Sequence, residues 1–428
     1  MRNVERIALK VLNEVEKRGM MDKSLKEGAL SVVDRKDRAF FKELVWGVLR
    51  KRRYLDFQID RFLRRRKIPI PVRNILRMGM YELIFMDIPD YAVVNEIVDL
   101  VKVKNFRSLV NAILRRFLRE GELKPKDPAV IYSVSDDLYD VLKESLDGEI
   151  LEKTLKFLNE RAKIFLRVNT TRMEVNEFVR RMERKGWKLR ICDFPRECVE
   201  VLKLGEWIGE SEEFEEGLFY VQDKSSQLAP YLMDLKMGQR ILDMCSGPGG
   251  KATHIAQFLN CQCEITTLDI SKEKLELVKE NSNRLRLNCL NFMNLDVREY
   301  SDDSKFDRIL LDAPCTSIAT GNKNPEVPLR LRRDDFERMA RIQKDLLKKA
   351  VELLRDGGKI LYSVCTVSKY ETTNVIKEVM RDEGLESMNL SKVLNGFGVK
   401  NRWDGYGSLI LPEDGYSPMY YAVLVKGQ

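Results

Sequence analysis

Two cysteines close segments of the kind that end a buried strand. One follows Phe306-Asp307-Arg308-Ile309-Leu310-Leu311-Asp312-Ala313-Pro314 as Cys315, and the other follows Lys359-Ile360-Leu361-Tyr362-Ser363-Val364 as Cys365. A thiolate is a potent nucleophile, and a neighbouring carboxyl group, here Asp312, offers an acid–base partner. Together they suit covalent addition to a pyrimidine. A sulfur joined to C6 turns the ring into an enamine whose C5 attacks an electrophile, and a hydrogen-bonding acid at N3 balances the charge. An arbitrary strand cysteine is a small hydrophobe. Cys365, between Ser363 and Thr366 at a strand's end, is read here as reactive instead.

A third element lies upstream, in Ile241-Leu242-Asp243-Met244-Cys245-Ser246-Gly247-Pro248-Gly249-Gly250-Lys251. Small residues let the backbone approach a ligand, and the helix that follows offers free N–H groups. Asp269 ends the next apolar run, where it can accept from both ribose hydroxyls of an adenosine. Asp296, in Asn294-Leu295-Asp296-Val297, falls where a third strand should end and can accept from an adenine amino group. The glycine spacing is not Gly-x-Gly-x-x-Gly, which weighs against a dinucleotide.

The elements that must position these groups begin near Gln222. Runs at Arg240–Met244, Glu264–Asp269, Phe306–Asp312 and Lys359–Cys365 are short, apolar and polar-ended. Helical stretches alternate with them, clearest at Met339–Arg355, with Gly357-Gly358 expected to terminate it. This alternation predicts a doubly wound parallel sheet with ligands at the carboxyl ends of its strands. Upstream, Ile164–Asn169 reads as a strand, Glu174–Lys185 as a helix, and short strands continue to Val221. Residues 1–122 carry apolar stripes of helical period, such as Val4, Ile7, Ala8, Val11, Leu12 and Val15, separated by Ile68-Pro69-Ile70-Pro71 and Ile88-Pro89-Asp90. Gly121–Pro128 reads as a linker and 129–160 as helical. The expected division is 1–125, 126–221 and 222–428.

Charge is uneven. Residues 1–122 hold 28 Lys and Arg against 17 Asp and Glu, a net +11, while the remainder is net −3. A basic helical domain points to nucleic acid, with Lys51-Arg52-Arg53, Arg64-Arg65-Arg66-Lys67 and Arg115-Arg116 at helix ends or connections as phosphate contacts. The eight cysteines are too few and too irregular for a disulfide framework, and Cys261 and Cys263 make only a Cys-x-Cys. The sole histidine is His254. No metal site and no histidine base are expected. A charged N-terminus and no long apolar run predict a cytoplasmic protein. An RNA-binding module without catalysis and a nicotinamide-dependent dehydrogenase are the alternatives. The first leaves Asp312, Cys315 and Cys365 unexplained, the second the cysteine pair.

Val221-Gln222-Asp223-Lys224-Ser225-Ser226-Gln227, the Cys245–Lys251 loop, Asp312-Ala313-Pro314-Cys315 and Tyr362-Ser363-Val364-Cys365-Thr366 together resemble the RNA 5-methylcytosine methyltransferase family. The first 122 residues resemble the NusB-type helical domain of its bacterial ribosomal RNA branch, through Asp37-Arg38-Ala39-Phe40, Leu44–Arg50, Asn95-Glu96 and Asn111–Arg115. Ser246-Gly247 stands where the family commonly has Ala-Ala, and Val364 where it commonly has Thr. The resemblance implies three parts: an all-α NusB-like domain, a small α/β RNA-recognition-like subdomain and an α/β Rossmann-like methyltransferase domain. It implies S-adenosyl-L-methionine, contacted by Cys245, Ser246, Gly247, Pro248, Gly249, Gly250, Lys251, Asp269, Asp296 and Asp312. It further implies Cys365 as nucleophile, Cys315 as the thiol assisting release of the methylated base, and 16S ribosomal RNA as substrate, with no metal, membrane or obligate protein partner.

Overall fold

The computed structural model of the chain describes residues 2–18, 32, 34–64 and 66–427. Two compact units form. The first takes the described residues up to Asp140 with Leu155–Arg161 and Thr320–Arg332; the second takes Val141–Thr154, Ala162–Ala319 and the chain from Arg333.

The first unit is helical, as its stripes predict. Its helices are α1 (Arg2–Arg18), α2 (Arg35–Arg50), α3 (Arg52–Leu63), α4 (Ile70–Phe85), α5 (Asp90–Asp99) and α6 (Lys104–Glu120). Val4, Ala8, Val11, Leu12 and Val15 of α1 meet Leu44, Val45 and Val48 of α2 and Ile75, Leu76 and Met80 of α4 in one core. Helix starts follow local chemistry. Asp34 accepts from the N–H groups of Lys36 and Asp37 to open α2. Pro71 occupies the first turn of α4, where a missing N–H costs nothing. Buried Arg77 donates to Asp56 at 2.8 and 2.6 Å and to Glu16 at 2.6 Å, tying α4 to α3 and α1.

The basic clusters divide. Lys51, Arg52 and Arg53 are spent on the fold: they bind Asn159 at 2.8 Å, Glu16 at 3.0 Å and Asp136 at 2.8 Å, which removes them as free phosphate contacts. Arg115 and Arg116 lie inside α6, not at its end, against Asn111 and Glu120. Arg64, Arg66 and Lys67 are exposed in the α3–α4 connection; Arg65 lies outside the described residues.

The second unit contains two sheets. After α7 (Asp136–Ser145) and α8 (Gly148–Asn159), strands β1 (Ile164–Val168), β2 (Lys188–Ile191), β3 (Cys198–Lys203) and β4 (Phe219–Val221) make an antiparallel sheet in the order β2-β3-β1-β4. Leu166 and Val168 pack with Phe178 and Met182 of α9 (Val175–Arg184). The alternate residue of β1, Arg167, points the other way.

The larger sheet is the doubly wound one. Strands β5 (Arg240–Asp243), β6 (Glu264–Leu268), β7 (Leu290–Met293), β8 (Phe306–Asp312) and β9 (Leu354–Val364) run parallel in the order β7-β6-β5-β8-β9. Antiparallel β13 (Met419–Val425) extends it beside β9; β10 (Glu386–Met388), β11 (Asn401–Trp403) and β12 (Ser408–Ile410) complete that side. The helices that follow β5, β6, β8 and β9 are α10 (Gly250–Phe258), α11 (Lys272–Leu285), α12 (Arg333–Leu353) and α13 (Thr373–Glu383). Chain order reverses between β5 and β8, and the crevice at such a switch point is where sheets of this type bind ligands.

One detail differs from the sequence reading. Helix α12 ends at Leu353, before the glycine pair, and Gly357-Gly358 lie within β9. Gly357 adopts a left-handed φ of 71° near the register shift between Phe306 and Arg308, so the glycines bend a strand instead of capping a helix. Cys261 and Cys289 are disulfide-bonded, with Cα atoms 5.4 Å apart. Among the described residues no helix is long and apolar enough to cross a membrane, and no cluster of His, Cys, Asp and Glu could hold a metal.

Candidate active site

The carboxyl ends of β5, β8 and β9 bring the chemistry together. Register sets it: Asp243 lies beside Leu310, and Asp312 beside Ser363. Cys315, three residues beyond β8, and Cys365, directly after β9, meet with sulfurs 3.2 Å apart. The Ser317 hydroxyl lies 3.5 Å from Cys365 Sγ. The Cys315 hydrogen bond draws the Cys365 thiol pKa down from its ordinary value, against the effect of burial, with a smaller contribution from Ser317. The partner moves the other way: the same contact, burial and nearby Glu371 push Cys315 well up. The two sulfurs are within hydrogen-bond distance, and their contact separates the two thiols in acidity, with Cys365 the more acidic.

Asp312 is held on both oxygens. Ser363 Oγ donates to one at 2.7 Å and Lys251 Nζ pairs with the other at 2.6 Å. Lys251 is almost buried, while Asp312 keeps about a third of its side chain open to solvent. Behind it, Asp243 is fully enclosed. Burial, with the charge of Asp312 adding to it, pushes its carboxyl up to about 8, so it is neutral at neutral pH.

The glycine turn lines a pocket of about 210 Å³ together with Tyr220, Gln222, Asp243, Lys251 and Asp312. Gly249 takes a left-handed φ of 100° as the N-cap of α10. A Cβ on Gly247 would stand 2.7 Å from Asp269 Oδ2 and 2.4 Å from Lys274 Cβ, so only glycine permits this approach. Asp269 accepts from Gly247 N at 2.9 Å and Ser271 N at 2.8 Å, which clasps the turn to the end of β6. A carboxylate so placed retains lone pairs for a diol. Cys245, Ser246, Gly247, Pro248 and Gly250 all border the pocket. Asp296 does not. It caps the turn after β7, with its carboxylate on Arg298 N at 3.0 Å and on the Arg298 guanidinium.

Several residues here escaped the sequence reading. Asp243 carried a legible signal, an acid at a strand's carboxyl end. Tyr220, at the edge of the small sheet, carried none; Gln222, just beyond it, stood in the Val221–Gln227 motif without an assigned role. Arg167, wholly buried, donates to Gln222 Oε1 at 2.7 Å, Gly250 O at 2.5 Å and Thr253 Oγ1 at 2.9 Å, so the second face of β1 fixes the start of α10. His254 lies outside the pocket lining. Its Nε2 faces Glu197, whose other oxygen accepts from Tyr231 OH at 2.6 Å, and burial pushes the imidazole down to about 4. An imidazolium there would bury an Nδ1–H that has no partner among the described residues, so His254 is a neutral packing residue.

Comparison with known proteins bears on the family and the fold. Residues 230–425 match the family model 16S rRNA methyltransferase RsmB/F, and residues 2–119 match the NusB family. The chain is 30% identical over 397 residues to the probable ribosomal RNA small subunit methyltransferase B of Bacillus subtilis, covering 89% of this chain and 88% of that one. Identity to the ribosomal RNA small subunit methyltransferase B of Pseudomonas putida is also 30%, over 93% and 92% of the two chains. The crystal structure of PH0851 has the same fold, with a TM-score of 0.84 at 22% identity over 100% of this chain and 99% of that one. Matched in both parts and along most of its length, the chain belongs to the ribosomal RNA small subunit methyltransferase B family.

Proposed function

We propose that this chain methylates C5 of a cytosine in 16S ribosomal RNA, with S-adenosyl-L-methionine as donor, through a covalent bond between Cys365 Sγ and C6 of the base. The observation that carries this reading is the thiol pair at the ends of neighbouring parallel strands, sulfurs 3.2 Å apart beside an aspartate held by lysine. A single nucleophile suffices for simple group transfer. Two thiols side by side suit a reaction that adds to a ring and must later eliminate from it. The names of the relatives supply the substrate class.

The cofactor is assigned to the glycine-lined pocket, whose turn excludes any Cβ at Gly247; Asp269, outside that lining but bonded to the turn through Gly247 N, would meet the ribose diol. Bound there, it supplies an electrophilic methyl group on a sulfonium. The chain's own residues do the rest. Cys365, its thiol pKa drawn down by Cys315, gives up its proton to solvent, adds to C6 and moves an electron pair to N3; Lys251 passes a proton through Asp312 to N3 and takes it back by the same route when the ring is released. The C5 carbon then takes the methyl group, and S-adenosyl-L-homocysteine departs. The hydrogen bond from Cys315 ends once Cys365 is a thioether. Cys315, its proton given up to solvent, removes the proton from C5; the returning electron pair restores the C5–C6 double bond and expels Cys365 as a thiolate.

The test is adduct trapping. Cys365→Ala should abolish turnover while leaving cofactor binding intact. Cys315→Ala should leave methylated RNA bonded to the protein through denaturing electrophoresis, and the double variant should form no adduct. Turnover by Cys365→Ala, or an adduct in the double variant, would move the nucleophile elsewhere.

A further inference from the structure

The two thiols sit on separate loops, so something must fix their separation. Glu371, shortly before α13, is fully buried beneath them. Its Oε1 accepts from Thr316 N at 2.8 Å and from Gln343 Nε2 at 3.2 Å; its Oε2 accepts from Thr316 Oγ1 at 2.5 Å and from Thr366 Oγ1 at 3.0 Å. Thr316 follows Cys315, and Thr366 follows Cys365. Gln343, on α12, also donates to Pro314 O at 2.8 Å, so both neighbours of Cys315 are held from the same side. The glutamate is itself anchored, because Tyr362 OH on β9 donates to Glu371 O at 2.8 Å.

A carboxylate without a cation is costly to bury, and four converging donors are what make it tolerable. Replacing such a hub by an apolar side chain would be easy if only packing were required. Its placement makes sense as a clasp: one oxygen reaches both cysteine loops. The carboxyl also lies near Cys315 and adds to the effects that push that thiol up.

We propose that Glu371 is the positioning residue of the thiol pair, its carboxylate joining the Cys315 loop to the Cys365 turn and holding the sulfurs in reach of one another. The role rests on the reading of these thiols as the reacting pair. It can be tested without activity, because adjacent thiols close to a disulfide when diamide accepts their two electrons and two protons, becoming the hydrazine. The rate of Cys315–Cys365 disulfide formation, followed by peptide mapping, therefore reads their separation. Glu371→Leu should slow it and lower kcat on 16S rRNA by about tenfold or more, since small misplacements of reacting groups cost that much. Its KM should change little. Glu371→Gln keeps an oxygen toward Thr316 N–H and can donate to the two hydroxyls, so it should recover most of both rates. Thr366→Val, which removes one arm, should fall between them and carries the test if thermal melting shows Glu371→Leu unfolded. Parental cross-linking in Glu371→Leu, or in Thr366→Val if that variant must serve, overturns the positioning role. Turnover by Cys365→Ala would overturn the mechanism and leave the cross-linking result standing.

Discussion

Cys365 gains its acidity from another sulfur. Thiolates are usually stabilised by a histidine, a cation or a helix N-terminus. Here the hydrogen bond from Cys315 is the largest effect lowering the Cys365 pKa, and burial opposes it. The sign is simple: a thiol whose pKa is depressed is ionised, and reactive, at lower pH. Removing the donor should reverse this. In Cys315→Ala the pH profile of Cys365 alkylation by iodoacetamide, read by mass spectrometry, should move to higher pH. An unshifted profile would assign the activation to Ser317 or Lys251. The same variant is expected to trap the RNA adduct, so one substitution probes both the entry to the covalent state and the exit from it.

The glycine turn and the strands around it work as one element. Gly249 must adopt φ 100° for the turn to enter α10, and a side chain there would bring a Cβ within 3.1 Å of Val278 Cα on α11. Gly249→Ala should therefore cost about 1–2 kcal/mol from the left-handed backbone alone. A lower Tm and weaker S-adenosyl-L-homocysteine binding in calorimetry would be its signature. Gly148→Ala, at a position with open space around it, should show neither. These features were legible because they are local: the glycine spacing, the period of the apolar runs and an acid at each strand's end all lie within a few residues. What was not legible depends on residues far apart in the chain. Glu371 joins Thr316 across 55 positions, and Arg167 reaches Thr253 across 86. Nothing in either neighbourhood shows that a carboxylate or a guanidinium will be buried there. Asp296 lies after a strand, as its sequence position indicated, and its carboxylate also pairs with Arg298 two residues on. Gly357-Gly358 resembles a helix stop in sequence, yet it lies in the irregular stretch of β9 between Leu354 and Lys359, both of which pair with β8.

At the scale of the whole molecule, the positive excess of the first 122 residues is smaller in effect than its count. Arg52, Arg73, Arg77, Arg107 and Arg116 each pair with a carboxylate of the same unit, so much of the basic content holds helices together. Exposed Arg64, Arg66 and Lys67 pair with no carboxylate among the described residues, and they lie in one connection between helices. Charge left over in this way is what a phosphate backbone can use, because each phosphate that is neutralised releases condensed counterions. Changing these three residues to Gln should weaken binding of 16S rRNA and flatten its dependence on salt, by roughly 0.7–0.9 in the log–log slope for each phosphate no longer neutralised. Arg52→Gln provides the contrast: with Glu16 as its partner it should affect stability and leave the slope unchanged. Cofactor affinity should be the same in both variants, since neither touches the second unit's pocket. A triple variant with the parental slope would mean that RNA is held elsewhere, and the α3–α4 connection would then be only a solvated surface.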